Sequence, residues 1–131
     1  LSSDDTPKLH FASYNQGQTT VVLIHGAFAS GLNWDLGIPH LSSHRLLVPD
    51  LPDHGKSKLI TRFSVDLSAQ LIANLIRTHA SGRAHMIGHS PGAQISVFVS
   101  GFEIFAQPSG SWLIPCAAWA VFRVENCIPD P

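Results

Sequence analysis

Ala84-His85-Met86-Ile87-Gly88-His89-Ser90-Pro91-Gly92-Ala93 is the stretch that decides the fold. Ala84 to Gly88 reads as a short apolar strand. Pro91 opens a helix-compatible segment reaching about Ser100, and proline suits the first helical position, where its missing N–H costs nothing. Only His89 and Ser90 lie between. The chain must therefore turn from strand to helix within two residues, which lifts the serine above the strand end. Gly88 and Gly92 leave room for backbones to pack closely around that turn. Gly88 to Gly92 fits the pattern G-x-S-x-G, which occurs once in the chain. With Gly and Ser each near 7%, chance would supply such a match about 4–5% of the time at this length.

Working outward, strands and helices alternate. Leu9 to Tyr14 reads as a first short strand. Val21-Val22-Leu23-Ile24-His25 is a continuous β-branched and apolar run, as expected of a strand buried on both faces. Gly26 to Gly31 is a loop, and Asn33 to Leu41 is expected to form a short helix. Arg45 to Val48 reads as another buried strand, ended by Pro49 and Pro52, and residues 49–58 form a Pro-, Asp- and Gly-rich loop. The clearest helix follows. Ser64 can cap it, Asp66 complements its dipole, and Leu67, Leu71, Ile72, Leu75 and Ile76 recur on one face. Gly82 is expected to stop it. This alternation predicts an α/β fold, a mostly parallel sheet with flanking helices.

Three blocks in order resemble the α/β-hydrolase family: Val21 to Ala27, ending in His25-Gly26; Asp50-Leu51-Pro52-Asp53-His54-Gly55-Lys56-Ser57, similar to the family's D-x-P-G-H-G-x-S loop; and Gly88 to Gly92, the nucleophile elbow. They cover roughly residues 9–100. The resemblance implies that Ser90 is the nucleophile and that the Ala27 backbone N–H is one oxyanion donor, with Phe28 lining the pocket. It implies structural roles in the elbow and loops for His25, Gly26, Gly88, His89 and Gly92, and a loop-holding role for His54. The implied chemistry is attack on an ester or a related acyl or carbon–heteroatom bond. The expected partner is a small, apolar ester-like substrate. Lyases and haloperoxidase-like enzymes would use the same elbow.

Three departures bear on activity. Pro91 stands where the family draws its second oxyanion donor from a backbone N–H, which proline lacks. No His follows His89, and only Glu103, Glu125 and Asp130 are acidic beyond Ser90, so the family's Ser–acid–His order is not completed. Asp53 replaces a glycine, a mild change because Asp tolerates left-handed backbone. The expectation is therefore a hydrolase-like chain that is inactive as written. The alternatives are a non-catalytic pocket-binding protein or the inert product of a truncated gene.

Beyond Ser100 no clean period appears, and Cys116 to Val124 reads as either strand or helix. The expected organisation is residues 1–100 as the N-terminal half of a hydrolase domain, truncated after the elbow helix, and residues 101–131 as a tail foreign to the family. On that reading the strand ending at Gly88 would be an open sheet edge.

Composition narrows the rest. The 131 residues are 44% hydrophobic and 13% charged, with eight Lys and Arg against nine Asp and Glu. The apolar share suits a folded core, and the near-balance of charge gives no electrostatic case for nucleic acid. No apolar run reaches the roughly 18–20 residues of a membrane span. Leu1-Ser2-Ser3-Asp4-Asp5 has no signal-peptide character. Cys116 and Cys127 are too few for a disulfide framework or a zinc cage, and there is no P-loop and no G-x-G-x-x-G. Neither a cofactor nor a metal is expected.

Overall fold

A computed structural model describes residues 7–60, 62–100 and 119–124, with Ser100 and 119–124 as backbone alone. Five strands form one mixed sheet: β1 (Phe11–Tyr14), β2 (Thr20–Ile24), β3 (Arg45–Pro49), β4 (Ala84–His89) and β5 (Trp119–Val124). Their spatial order is β1-β3-β2-β4-β5. The central three, β3, β2 and β4, run parallel, and β1 and β5 close the two sides antiparallel. All five residues of β2 are buried, as its unbroken apolar run requires.

Two helices follow β3 and β4: α1 (Val65–His79) and α2 (Pro91–Ser100). The Ser64 Oγ accepts from the Leu67 N–H at 3.0 Å, so the expected cap is made. At the other end the Gly82 N–H reaches back to the Ile76 carbonyl at 3.1 Å, with Ser81 and Gly82 both at positive φ. That return bond is how a helix commonly stops. The Arg45 guanidinium, at the start of β3, donates to the His79 carbonyl, placing positive charge at the negative end of α1.

The two faces of the sheet are covered differently. Val22, Ile24, Leu47 and Met86 pack with Leu71, Ile72, Leu75, Ile76 and Ile95 of the helices. Val21, Leu23, Leu46 and Val48 point the other way and meet Tyr14, Trp34, Ile38, Leu41 and Ile87.

Two expectations are corrected. Asn33 to Leu41 is not one helix but two short 3-10 turns, Gly31–Trp34 and Ile38–Leu41. Gly37 lies between them and Pro39 is the second residue of the second, so neither a continuous hydrogen-bond ladder nor strong helix propensity is available there. Nor is β4 an open edge. Its residues Ala84 to His89 pair with Val124 to Trp119 of β5, a strand drawn from the segment that shows no period. A strand's long-range partner satisfies its backbone whatever its own periodicity, so the pattern could not announce this. Cys116, Cys127, Trp112, Glu103, Glu125 and Asp130 lie outside the described residues.

Candidate active site

From β2 the chain moves to β3 on one side; from β4 it moves to β5 on the other. The carboxyl ends of β2 and β4 therefore flank the point where the strand order diverges, the place where open α/β sheets form a crevice. His25-Gly26 leave the first of these ends and His89-Ser90 the second.

Ser90 sits at φ +58° between the last residue of β4 and the first of α2. This left-handed backbone is uncommon for a residue with a side chain and costs of order 1–3 kcal/mol. The surroundings hold it. A Cβ on Gly88 would lie 2.2 Å from the Gly92 carbonyl oxygen, and one on Gly92 would lie 2.3 Å from the Ile24 oxygen. Only glycine lets α2 lean this closely on the ends of β2 and β4. The Ser90 carbonyl accepts the Ala93 N–H at 2.9 Å, opening α2 directly beneath the serine. A Cβ on Gly26 would meet His89 Nδ1 at 3.0 Å and the Ser90 Cβ at 3.4 Å. The loop that begins at Gly26 thus starts against the elbow.

That loop is tied to the one after β3 by polar bonds. The buried His25 places Nδ1 2.7 Å from the Gly26 carbonyl, and its Nε2 accepts the Leu51 N–H at 3.0 Å. His54 places Nδ1 2.8 Å from the Pro52 carbonyl, and its Nε2 accepts the Phe28 N–H at 3.2 Å. In both rings one nitrogen faces an acceptor and the other a donor, an arrangement that a neutral ring with its proton on Nδ1 satisfies. Burial strips water from His25 and holds its pKa below the ordinary value. The Gly26 carbonyl opposes that shift, His54 adds to it, and Asp50 opposes it.

Asp50, also buried, makes the third tie. Its Oδ1 accepts the Gly31 N–H at 2.7 Å and its Oδ2 the Lys56 N–H at 2.9 Å. A Cβ on Gly55, at φ +48°, would stand 2.5 Å from that Oδ2. The buried Ser57 hydroxyl donates to the Asp50 carbonyl at 2.7 Å and accepts the His10 N–H at 3.0 Å, pinning the lead-in to β1. Asp53 adopts φ +63° without disturbing these bonds. The sequence reading assigned no role to Asp50 or Ser57. Their presence in the 50–57 block was the available signal.

The structure thus gathers His25, Gly26, Gly88, His89, Ser90, Pro91 and Gly92 at one end of the sheet, with Ala27 and Phe28 continuing the loop. Ala27 is exposed, and the Phe28 ring is fully so, with its backbone at φ +60°. Pro91 begins α2, so the position after Ser90 offers no N–H. A cavity of about 390 Å³ lies between Pro7–Phe11 and α1, and another of about 200 Å³ beside Gly31 and Asp50; Ser90 lines neither. Among the described residues no cluster of three or more His, Cys, Asp or Glu could hold a metal ion. No helix among them is long and apolar enough to cross a membrane.

Comparison with known proteins gives a consistent set of likenesses. The model of the "Alpha/beta hydrolase family" matches residues 21–127, a span that crosses residue 100. An "AB hydrolase superfamily protein" of Gibberella zeae is 35% identical over 94% of this chain and 49% of its own length. The "dihydrolipoyllysine-residue acetyltransferase component of acetoin cleaving system" of Pseudomonas putida is 34% identical over 66% of this chain and 24% of its own. Among solved structures, a "marine microorganism esterase" superposes with a TM-score of 0.66 at 22% identity, over 71% of this chain and 36% of its own; it shows the fold alone. The chain spans about half the length of the first of these proteins and less of the others.

Proposed function

The chain belongs to the alpha/beta hydrolase family, and from that premise we propose that it supplies the nucleophile-bearing half of a site that cleaves an ester or a related acyl or carbon–heteroatom bond in a small molecule. The observation that carries this reading is Ser90 at φ +58° on a strand-to-helix turn, with Gly88 and Gly92 in contact distance of the neighbouring backbones. Ser90 Oγ attacks the electrophilic carbon, and the Ala27 N–H stabilises the oxygen that becomes negative. His25, His54 and Asp50 hold the loop that carries Ala27. The hydroxyl proton needs a base, and no His follows His89. Within these 131 residues the nucleophile is therefore weak. Pro91 lowers turnover separately, because one missing oxyanion donor leaves the developing negative charge less stabilised and costs about 10²–10³ in kcat.

The same two features favour a second reading, in which the crevice at the ends of β2 and β4 binds a small molecule without turning it over. Exposure of the purified 131-residue chain to a fluorophosphonate, with Ser90→Ala alongside, separates the two. The hydrolase reading expects slow label at Ser90 and none in Ser90→Ala. Label retained by Ser90→Ala would overturn the nucleophile assignment. A folded chain that takes no label, yet melts at a higher temperature with small esters present, would establish the binding reading instead.

A further inference from the structure

The two loops at the site exchange donors. His25, on the loop after β2, accepts the Leu51 N–H from the loop after β3; His54, on the loop after β3, accepts the Phe28 N–H from the loop after β2. Their rings lie 5.2 Å apart and inclined at 53°, and Phe63 closes on His54 at 5.3 Å. This is a reciprocal latch. Its two halves are unequal. His25 is buried, and its bonds lie in the interior; His54 is partly exposed, and its bond to Phe28 lies at the surface.

Phe28 is the residue that most needs holding. Its backbone sits at φ +60°, which a bulky residue adopts at a cost. Its ring is fully exposed, so packing contributes nothing to keep it there. The N–H bond to His54 Nε2 is what restrains it. Phe28 is next in chain to Ala27, so the orientation of one peptide bears directly on the other.

We propose that His54 is a positioning residue for the oxyanion loop, and that its neutral form is required for that role because an accepting Nε2 becomes a donor once protonated. The proposal rests on the hydrolase reading only for the use made of Ala27; the latch itself is independent of it. An imidazolium has two N–H donors and no acceptor. A proton on His54 would therefore set Nε2–H against the Phe28 N–H and release residues 27–28, while the buried His25–Leu51 half stays closed. The charged and titratable groups around the pair include the two imidazoles, the Asp50 carboxylate that acts on His25, Asp53 and Lys56 in the loop of His54, His89 against Gly26, and Arg62 next to Phe63.

Imidazole ¹⁵N shifts and amide exchange in the 131-residue chain test this without any catalytic readout. At pH 8 both rings should show the Nδ1–H tautomer. The Phe28 amide should be protected, and its protection should fall about fivefold, the worth of one ordinary hydrogen bond, with the same midpoint as His54 protonation. Protection of the Leu51 amide should not follow that midpoint. His54→Gln, whose carbonyl can accept the same N–H but does not titrate, should keep part of the protection and lose the pH dependence; His54→Ala should lose both. An Nε2–H tautomer on His54, or a Phe28 amide indifferent to His54 protonation in the wild-type chain, would overturn the latch. If the latch behaves as described but fluorophosphonate labelling of Ser90 ignores it, the link to the oxyanion loop falls and the latch stands.

Discussion

Leu46 and Leu47 are neighbours in β3, both with 0% exposure, yet they belong to different interiors. Leu47 faces α1, which is capped by Ser64, and α2, and these helices supply a continuous apolar wall. Leu46 faces the second layer, whose cover is Tyr14, Trp34, Ile38 and Leu41 from β1 and two 3-10 turns. Leu32 and Leu36, at 73% and 90% exposure, lie in and beside those turns and add little to the cover among the described residues. Alternation along a strand makes the two side chains equal in burial. The connection that crosses each face makes them unequal in how firmly they are held.

Truncation measures that difference directly. A deleted leucine costs more where the walls cannot relax into the void. Leu47→Ala is expected to destabilise by about 4–5 kcal/mol and Leu46→Ala by about 2–3 kcal/mol; urea unfolding of both reads it, and equal losses would mean the thin cover is as rigid as the helices. Gly92→Ala sets a side chain against the Ile24 and His25 carbonyls, where α2 meets the end of β2. It should cost about 3 kcal/mol, the upper end for overpacking. A loss below about 1 kcal/mol would show that α2 can lift off β2, and that the thick side yields where it reaches the site.

Solvent pH separates the interior from its rim. His25 has a folded pKa below the value of 6.5 it would have in the unfolded chain, because burial disfavours its charge. The unfolded state therefore binds the extra proton first as pH falls. His25's contribution is fully present above about pH 6.5 and is lost as pH drops from there through its lowered folded pKa, with a slope of at most about 1.4 kcal/mol per pH unit. Urea midpoints between pH 8 and 5 should fall in that direction. A rise over the same window would contradict the buried neutral ring. The smallest effects come from the caps. Ser64→Ala, at the start of α1, should cost about 1 kcal/mol. Ser30→Ala, whose Oγ accepts the Leu32 N–H at 3.3 Å in an exposed 3-10 turn, should cost at most about 0.5 kcal/mol. Thermal melts of the pair sharpen the contrast; a reversed order would undo it.

Several elements were legible in residues 9–100 because their signals are local. The unbroken run Val21 to Ile24, the Ser64 cap with its apolar stripe, and the strand–serine–helix turn at 84–100 each lie within a few turns of chain, and each forms as read. The helix expected over 33–41 does not form, because Gly37 and Pro39 break the segment into two 3-10 turns. The elbow was legible for the same local reason, since G-x-S-x-G encodes a steric requirement among five neighbours.

By itself, then, the sequence determined the strands and helices of residues 9–100 apart from 33–41, the tight strand-to-helix turn at Ser90, the N–H missing at Pro91 and the family to which the chain belongs. Tertiary structure alone decided that β5 covers the outer side of β4, that Leu46 and Leu47 meet unlike walls, and that His25 and His54 take each other's loop amides. The strand pairing and the two histidine bonds join residues about 25 or more positions apart. A hydrogen bond across such a gap leaves no periodicity in the chain: either partner alone is only a histidine, or an amide like every other.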